Sequence, residues 1–184
     1  MNATRIGILL FALAALAGPW YTVEGYSTVG NLISQLGAQN TQNNWVMVIG
    51  FLALGCGLIT DSIRRFSTRV LPFAAFGLFM ALAGIFAHRP LSTVIEYSEF
   101  AHQAHSVLAT LAGISITVGL LWYAAAAASI RLRITAITLA ALCFALPLCM
   151  LVLPDFQGLI QRIMYLFIFS WLWICFPFEI SSDR

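Results

Sequence analysis

The sequence predicts an all-α membrane protein: a bundle of six transmembrane helices with a short extracytoplasmic interfacial helix at about 27–37. Two observations carry that expectation. The first is composition: 61% of the 184 residues are hydrophobic and 9% are charged, and the mean hydropathy is +0.92. A soluble domain carries about 25% charged residues and about 45–50% apolar ones. The second is spacing. At about 20 apolar residues per span, a chain of 184 residues fits six spans with short loops, one domain over 1–184.

Apolar runs between polar punctuation place the spans near 6–23, 44–63, 70–87, 103–124, 134–153 and 158–177. The first begins after Arg5 and ends in Ala15-Leu16-Ala17, a pattern shared with signal peptides; we take it as the first transmembrane helix. The Ala124–Ala128 run reads as a continuation of the fourth helix.

All nine cations are Arg. With the N-terminus inside, Arg5, Arg64, Arg65, Arg69, Arg131, Arg133 and Arg184 fall in the cytoplasm and only Arg89 and Arg162 outside. By the positive-inside rule this puts both ends in the cytoplasm. Trp20, Tyr21, Trp45, Trp122 and Tyr123 lie near span ends, where interfacial aromatics belong. Cys56, Cys143, Cys149 and Cys175 all lie in apolar runs without C-x-x-C spacing, which suggests small buried hydrophobes rather than disulfides or a zinc ribbon. No nucleic-acid partner is expected.

The outward side gathers Glu24, Glu96, Glu99, Asp155, Arg89, Arg162, His88, His102 and His105. In its first loop, Val29, Leu32, Ile33 and Leu36 follow helical i, i+3, i+4, i+7 spacing, with Asn31, Ser34 and Gln35 on another face. Ser27 or Thr28 is the expected cap and Gly37 the expected left-handed terminus. Such a helix is either a cover over the helix ends or the wall of a pocket lined by Asn31, Ser34 and Gln35.

In the second outer loop, Thr93-Val94-Ile95-Glu96 has the form of a capping box, so the fourth helix is expected to start in the headgroup layer. Glu96, Glu99, His102 and His105 recur every three residues. Three-residue steps drift by about 60° each on an α-helix, so neighbours meet but the four do not share a face. Glu99, His102 and His105 are therefore candidate metal ligands, needing help from elsewhere such as His88 or Asp155. His102 and His105 are also the candidate catalytic bases. The alternative for all of them is a set of interfacial polar groups satisfied by water and headgroups; no cofactor is required.

Arg162 is the most informative charge. If Asp155 caps the sixth helix, Arg162 lies roughly 10 Å along it, at the positive end of the helix dipole. It should snorkel to the surface, pair with Glu24, Glu96, Glu99 or Asp155, or hold an anionic group such as a lipid phosphate.

Three stretches also carry a family resemblance: Tyr26-Ser27 through Asn31-Leu32-Ile33-Ser34-Gln35-Leu36-Gly37; His105 at the start of the fourth helix; and Gly158-Leu159-Ile160-Gln161-Arg162 with Trp171 further on. The chain resembles the prokaryotic membrane-protein family catalogued as domain of unknown function 998. The resemblance implies a six-helix bundle in a prokaryotic cytoplasmic membrane and supplies no activity. The family pattern has an Asp soon after the third span, where this chain reads Ala87-His88-Arg89-Pro90.

The functional expectation that follows is an outward-facing pocket in which Arg162, Gln161, His105, Asn31 and Ser34 bind a lipid headgroup or a small polar or anionic ligand. One alternative is an intramembrane lipid-modifying hydrolase, with or without a metal, using His105 or His102 as base or metal ligand, with Ser34 and Ser106 the nearest nucleophiles. Another is an accessory subunit of a larger membrane complex, its helices brought close by small residues such as Gly55, Gly77 and Gly113. The partners expected are membrane lipids, or other membrane subunits.

Overall fold

A computed structural model of the chain describes residues 2–22, 25–65 and 67–176. Glu24 and Arg184 lie outside these residues. The described residues form six long helices: α1 (Ala3–Tyr21), α2 (Trp45–Arg65), α3 (Leu71–Ile85), α4 (Glu99–Ala126), α5 (Ile130–Val152) and α6 (Gln157–Cys175). Counting the short 3-10 turns Thr68–Val70 and Pro154–Phe156 that lead into α3 and α6, all six segments are long and apolar enough to cross a membrane. There is no strand among the described residues. The protein is a multi-pass membrane protein.

Successive helices pack as neighbours, and α6 closes back on α1. In a bilayer the helices gain nothing by hiding from water, so close backbone approach has to supply the association. It does so between α2 and α3. A side chain at Gly55 would strike the Gly77 carbonyl and the Ala81 Cβ at 2.7 Å, and one at Gly77 would meet the Gly55 carbonyl at 2.8 Å. Phe11 of α1 fills the centre, with its ring 5.1 Å from Phe51, 5.2 Å from Tyr165 and 5.3 Å from Phe169. On the other side, the backbones of α4 and α6 stay apart, and the two helices meet through Tyr123 and Trp171, whose rings stand edge to face 5.1 Å apart.

Two ends of the bundle are distinct. One carries the α2–α3 and α4–α5 connections and is tied by Asp61, a buried carboxylate on α2. Asp61 accepts hydrogen bonds from the first turn of α1, Ala3 N–H at 3.3 Å and Thr4 N–H at 2.7 Å. A carboxylate suits those unpaired donors at the positive end of the helix dipole. Arg64 stands 3.9 Å from Asp61 in an ion pair. Arg5 crosses to the far end of α6, donating through Nε and Nη2 to the Trp173 carbonyl at 3.0 and 2.7 Å.

The other end carries the α1–α2 and α3–α4 loops and the start of α6, and two expectations are corrected there. Residues 27–37 do not form one helix of ten residues. They form a turn over 27–31 followed by a 3-10 helix, Ile33–Gly37. The break falls at Leu32, which is extended, because side chains take the N–H groups a continuous helix would use. Leu32 N–H donates to Gln35 Oε1 at 2.8 Å, and Ile33 N–H donates to Gln161 Oε1 at 2.7 Å. Gly37 ends the segment without a left-handed backbone; it lies against Met47, whose Cβ would be 3.3 Å from a Cβ at that position. Nor does a capping box at Thr93–Glu96 start α4. Ser98 does so, its Oγ accepting the Ala101 N–H at 3.3 Å, because the backbone before it is tied to Gln39 through the Ser98 N–H and carbonyl. At the far side α4 stops at Ala126, so the alanine run is not helical throughout.

Candidate functional site

The first half of the predicted site is a clasp between the 26–33 loop and the start of α6. Gly158 lets the loop reach the helix, since a side chain there would collide with the Asn31 carbonyl and approach the Thr28 carbonyl to 2.7 Å. Leu159 N–H, one of the unpaired donors of the first turn, donates to the Val29 carbonyl at 2.9 Å. Arg162 then locks the contact. Its Nη1 donates to the carbonyls of Thr28 (2.7 Å), Asn31 (3.2 Å) and Gly158 (3.0 Å), and its Nη2 to the Tyr26 hydroxyl (2.7 Å). The carbonyl dipoles supply the negative potential that the α6 terminus lacks. No carboxylate among the described residues forms an ion pair with Arg162. Burial raises the Tyr26 phenol above its usual pKa, against the opposing pull of the guanidinium.

Asn31 accepts the Ser27 N–H through Oδ1 at 2.7 Å, and Ser34 is buried in the 3-10 helix. Arg162, Gln161, Asn31 and Ser34 are thus brought together, and the polar contacts of the first three are with the chain itself.

His105 belongs to a second cluster. Its Nδ1 lies 2.8 Å from the Ala83 carbonyl and 3.0 Å from that of Phe86, so it carries the proton and donates to the end of α3. The His88 ring stands edge to face with His102 at 4.6 Å and with His105 at 5.4 Å between centroids. His88 Nδ1 lies 2.8 Å from the Arg89 carbonyl, and burial lowers its pKa from 6.5 to about 4. His102 Nδ1 is buried with no hydrogen-bond partner among the described residues. Glu99 turns instead to Gln103, which donates to its Oε1 at 3.3 Å. Among the described residues no group of three or more His, Cys, Asp or Glu side chains is placed to hold a metal ion. Ser106 donates to the His102 carbonyl at 3.1 Å rather than to an imidazole.

Hydropathy and motif reading missed a third feature: a cleft of about 500 Å³ between α3, α4, α5 and α6. Phe76 and Met80 form its floor, Gly113, Ile116 and Thr117 one wall, and Gln161, Met164, Tyr165 and Ile168 the other. Its rim includes Ile114, Phe144 and Leu148, which are exposed and apolar. Nothing lies within 4 Å of where a Gly113 side chain would begin. Gln161 joins the two regions, lining the cleft while its Oε1 holds the loop.

These features define a six-helix membrane protein with a loop clasped over one end and a cleft opening from its side. The chain belongs to the family described as protein of unknown function DUF998, whose family model matches residues 5–176. The motif residues at 26–37 and 158–162 are the two halves of the clasp. No curated protein and no solved structure matches the chain.

Proposed function

We propose that the protein binds a membrane lipid, one hydrocarbon chain of which occupies the cleft between α4 and α6, with its polar end toward Gln161. The observation that supports this is the cleft itself. It lies within the transmembrane segments, is mostly apolar, and its volume of about 500 Å³ falls in the range of small-molecule sites. In a bilayer the solvent facing such an opening is acyl chain. The clasp makes the polar boundary: Arg162, which has no ion pair among the described residues, brings a positive charge to the end of the bundle where the lipid headgroup would lie. An anionic headgroup is favoured there. On this reading the Arg162 end faces outward in a prokaryotic cytoplasmic membrane with both termini in the cytoplasm, the orientation the arginine distribution favours.

The test fills the cleft. Gly113→Phe places a ring where the structure has open space, so the variant should melt within a few degrees of wild type. Native mass spectrometry after mild extraction should show a lipid adduct on the wild type and its loss in Gly113→Phe. Equal adducts on both would contradict the proposal.

A further inference from the structure

The cleft's polar atoms narrow the chemistry of what it holds. On the α4 wall, Thr110 and Thr117 spend their hydroxyl hydrogens on carbonyls of their own helix, Ser106 at 2.9 Å and Gly113 at 2.8 Å. That wall therefore offers no spare hydroxyl donor. The α6 wall does. Gln161 uses its Oε1 for the Ile33 N–H, and its Nε2 hydrogens have no acceptor among the described residues. Tyr165 has only the Met80 thioether, at 3.7 Å, to receive its hydroxyl hydrogen. A thioether is a weak acceptor, and a donor left poorly satisfied in an apolar setting costs free energy that a better acceptor would recover.

Gln161 and Tyr165 are four residues apart, about 6 Å along the helix on one face. Two donors on an otherwise hydrocarbon-like wall ask for a ligand with acceptor oxygens at the head of an alkyl chain. Carbonyl oxygens fit this; an ether oxygen is a poorer acceptor and an alkane has none. An anionic headgroup beyond them would be nearer the end of the bundle where Arg162 sits.

Building on the lipid reading above, we infer that the cleft selects ester-linked glycerolipids, with their ester carbonyls accepting hydrogen bonds from Gln161 Nε2 and the Tyr165 hydroxyl. Chain length and headgroup are secondary to the linkage, because the donors meet the lipid where chain and glycerol join.

The experiment offers the purified full chain a diacyl phosphatidylglycerol and its dialkyl ether analogue, matched in chains and headgroup, and reads retained lipid by native mass spectrometry. The expected result is retention of the ester over the ether by about fivefold, the worth of roughly one net hydrogen bond. Tyr165→Phe, which keeps the ring packing, should bring the ratio close to one by lowering ester retention alone. Equal retention of both lipids by the wild type overturns ester recognition and leaves the cleft as a chain site. Retention of neither overturns the lipid reading itself. Should Tyr165→Phe melt early, the wild-type ratio already decides the question.

Discussion

Glycine occurs on both sides of this bundle with opposite surroundings. Between α2 and α3, Gly55 and Gly77 bring two backbones into contact, and neither position has room for a methyl group. On α4, Gly113 faces open space in the side cleft. The first side is closed by packing and the second is left for something else to close. In lipid, where burial from water does not hold helices together, an unfilled gap gains nothing by itself. The same substitution should therefore have different consequences on the two sides, and that contrast can be attacked directly.

Gly77→Leu should have the largest effect, a loss of ~3 kcal/mol or more from overpacking against the Gly55 carbonyl and Leu58. Thermal unfolding in detergent measures it, and a melting point equal to wild type would mean that α2 and α3 are not so close. Next is Arg162→Ala, which strips the Thr28 carbonyl of its side-chain donor and leaves the Asn31 carbonyl only the Tyr26 hydroxyl, and should cost about 2 kcal/mol. Amide exchange should quicken at 26–37 and not at Gly55 or Gly77. Lysine at position 162 should recover little, since one ammonium cannot reproduce the planar fork. Asp61→Asn should cost about 1 kcal/mol through the first turn of α1, with exchange confined to the opposite end of the bundle.

Acid tests the loop that carries His88. The folded protein holds His88 neutral, with a pKa lowered from 6.5 to about 4, so the unfolded chain binds more protons between those values. Stability should fall as pH drops through that window and level off below it. His88→Asn should flatten this part of the profile; an unchanged profile would show that His88 does not contribute. The smallest effect is expected for Gly113→Ala, whose melting point should match wild type.

Much of this was legible in the sequence. Hydropathy placed the six helices because each backbone in lipid must satisfy its own hydrogen bonds, which leaves long apolar runs. Arg162 stood out as a cation at the wrong end of a helix dipole. Its partners could not be read, because they are backbone carbonyls and any residue carries one. The break at Leu32 was hidden for a related reason: the acceptor for the Ile33 N–H sits on Gln161, 128 residues away. Asp61 was overlooked among the basic residues of its end, although an acid inside an apolar span three residues before Arg64 was a usable signal. His105 met the α3 carbonyls rather than Arg162, a matter of which helices are neighbours. The cleft was invisible for the same reason, since it exists only where α4 and α6 stay apart.

Photolabelling tests the contrast between the two sides most directly. A phospholipid carrying a diazirine on its acyl chain, activated with the protein in bilayers, marks whatever its chain touches. Leu13 and Leu16 on α1 are exposed and apolar, as are Ile114 and Phe144 on the cleft rim. If a chain resides in the cleft, adducts should concentrate on Thr117, Met164 and Tyr165, the partly exposed residues inside it, exceed those on Leu13 and Leu16, and fall away in Gly113→Phe. Labelling spread evenly over α1 and the rim, with none on those interior residues, would contradict the account.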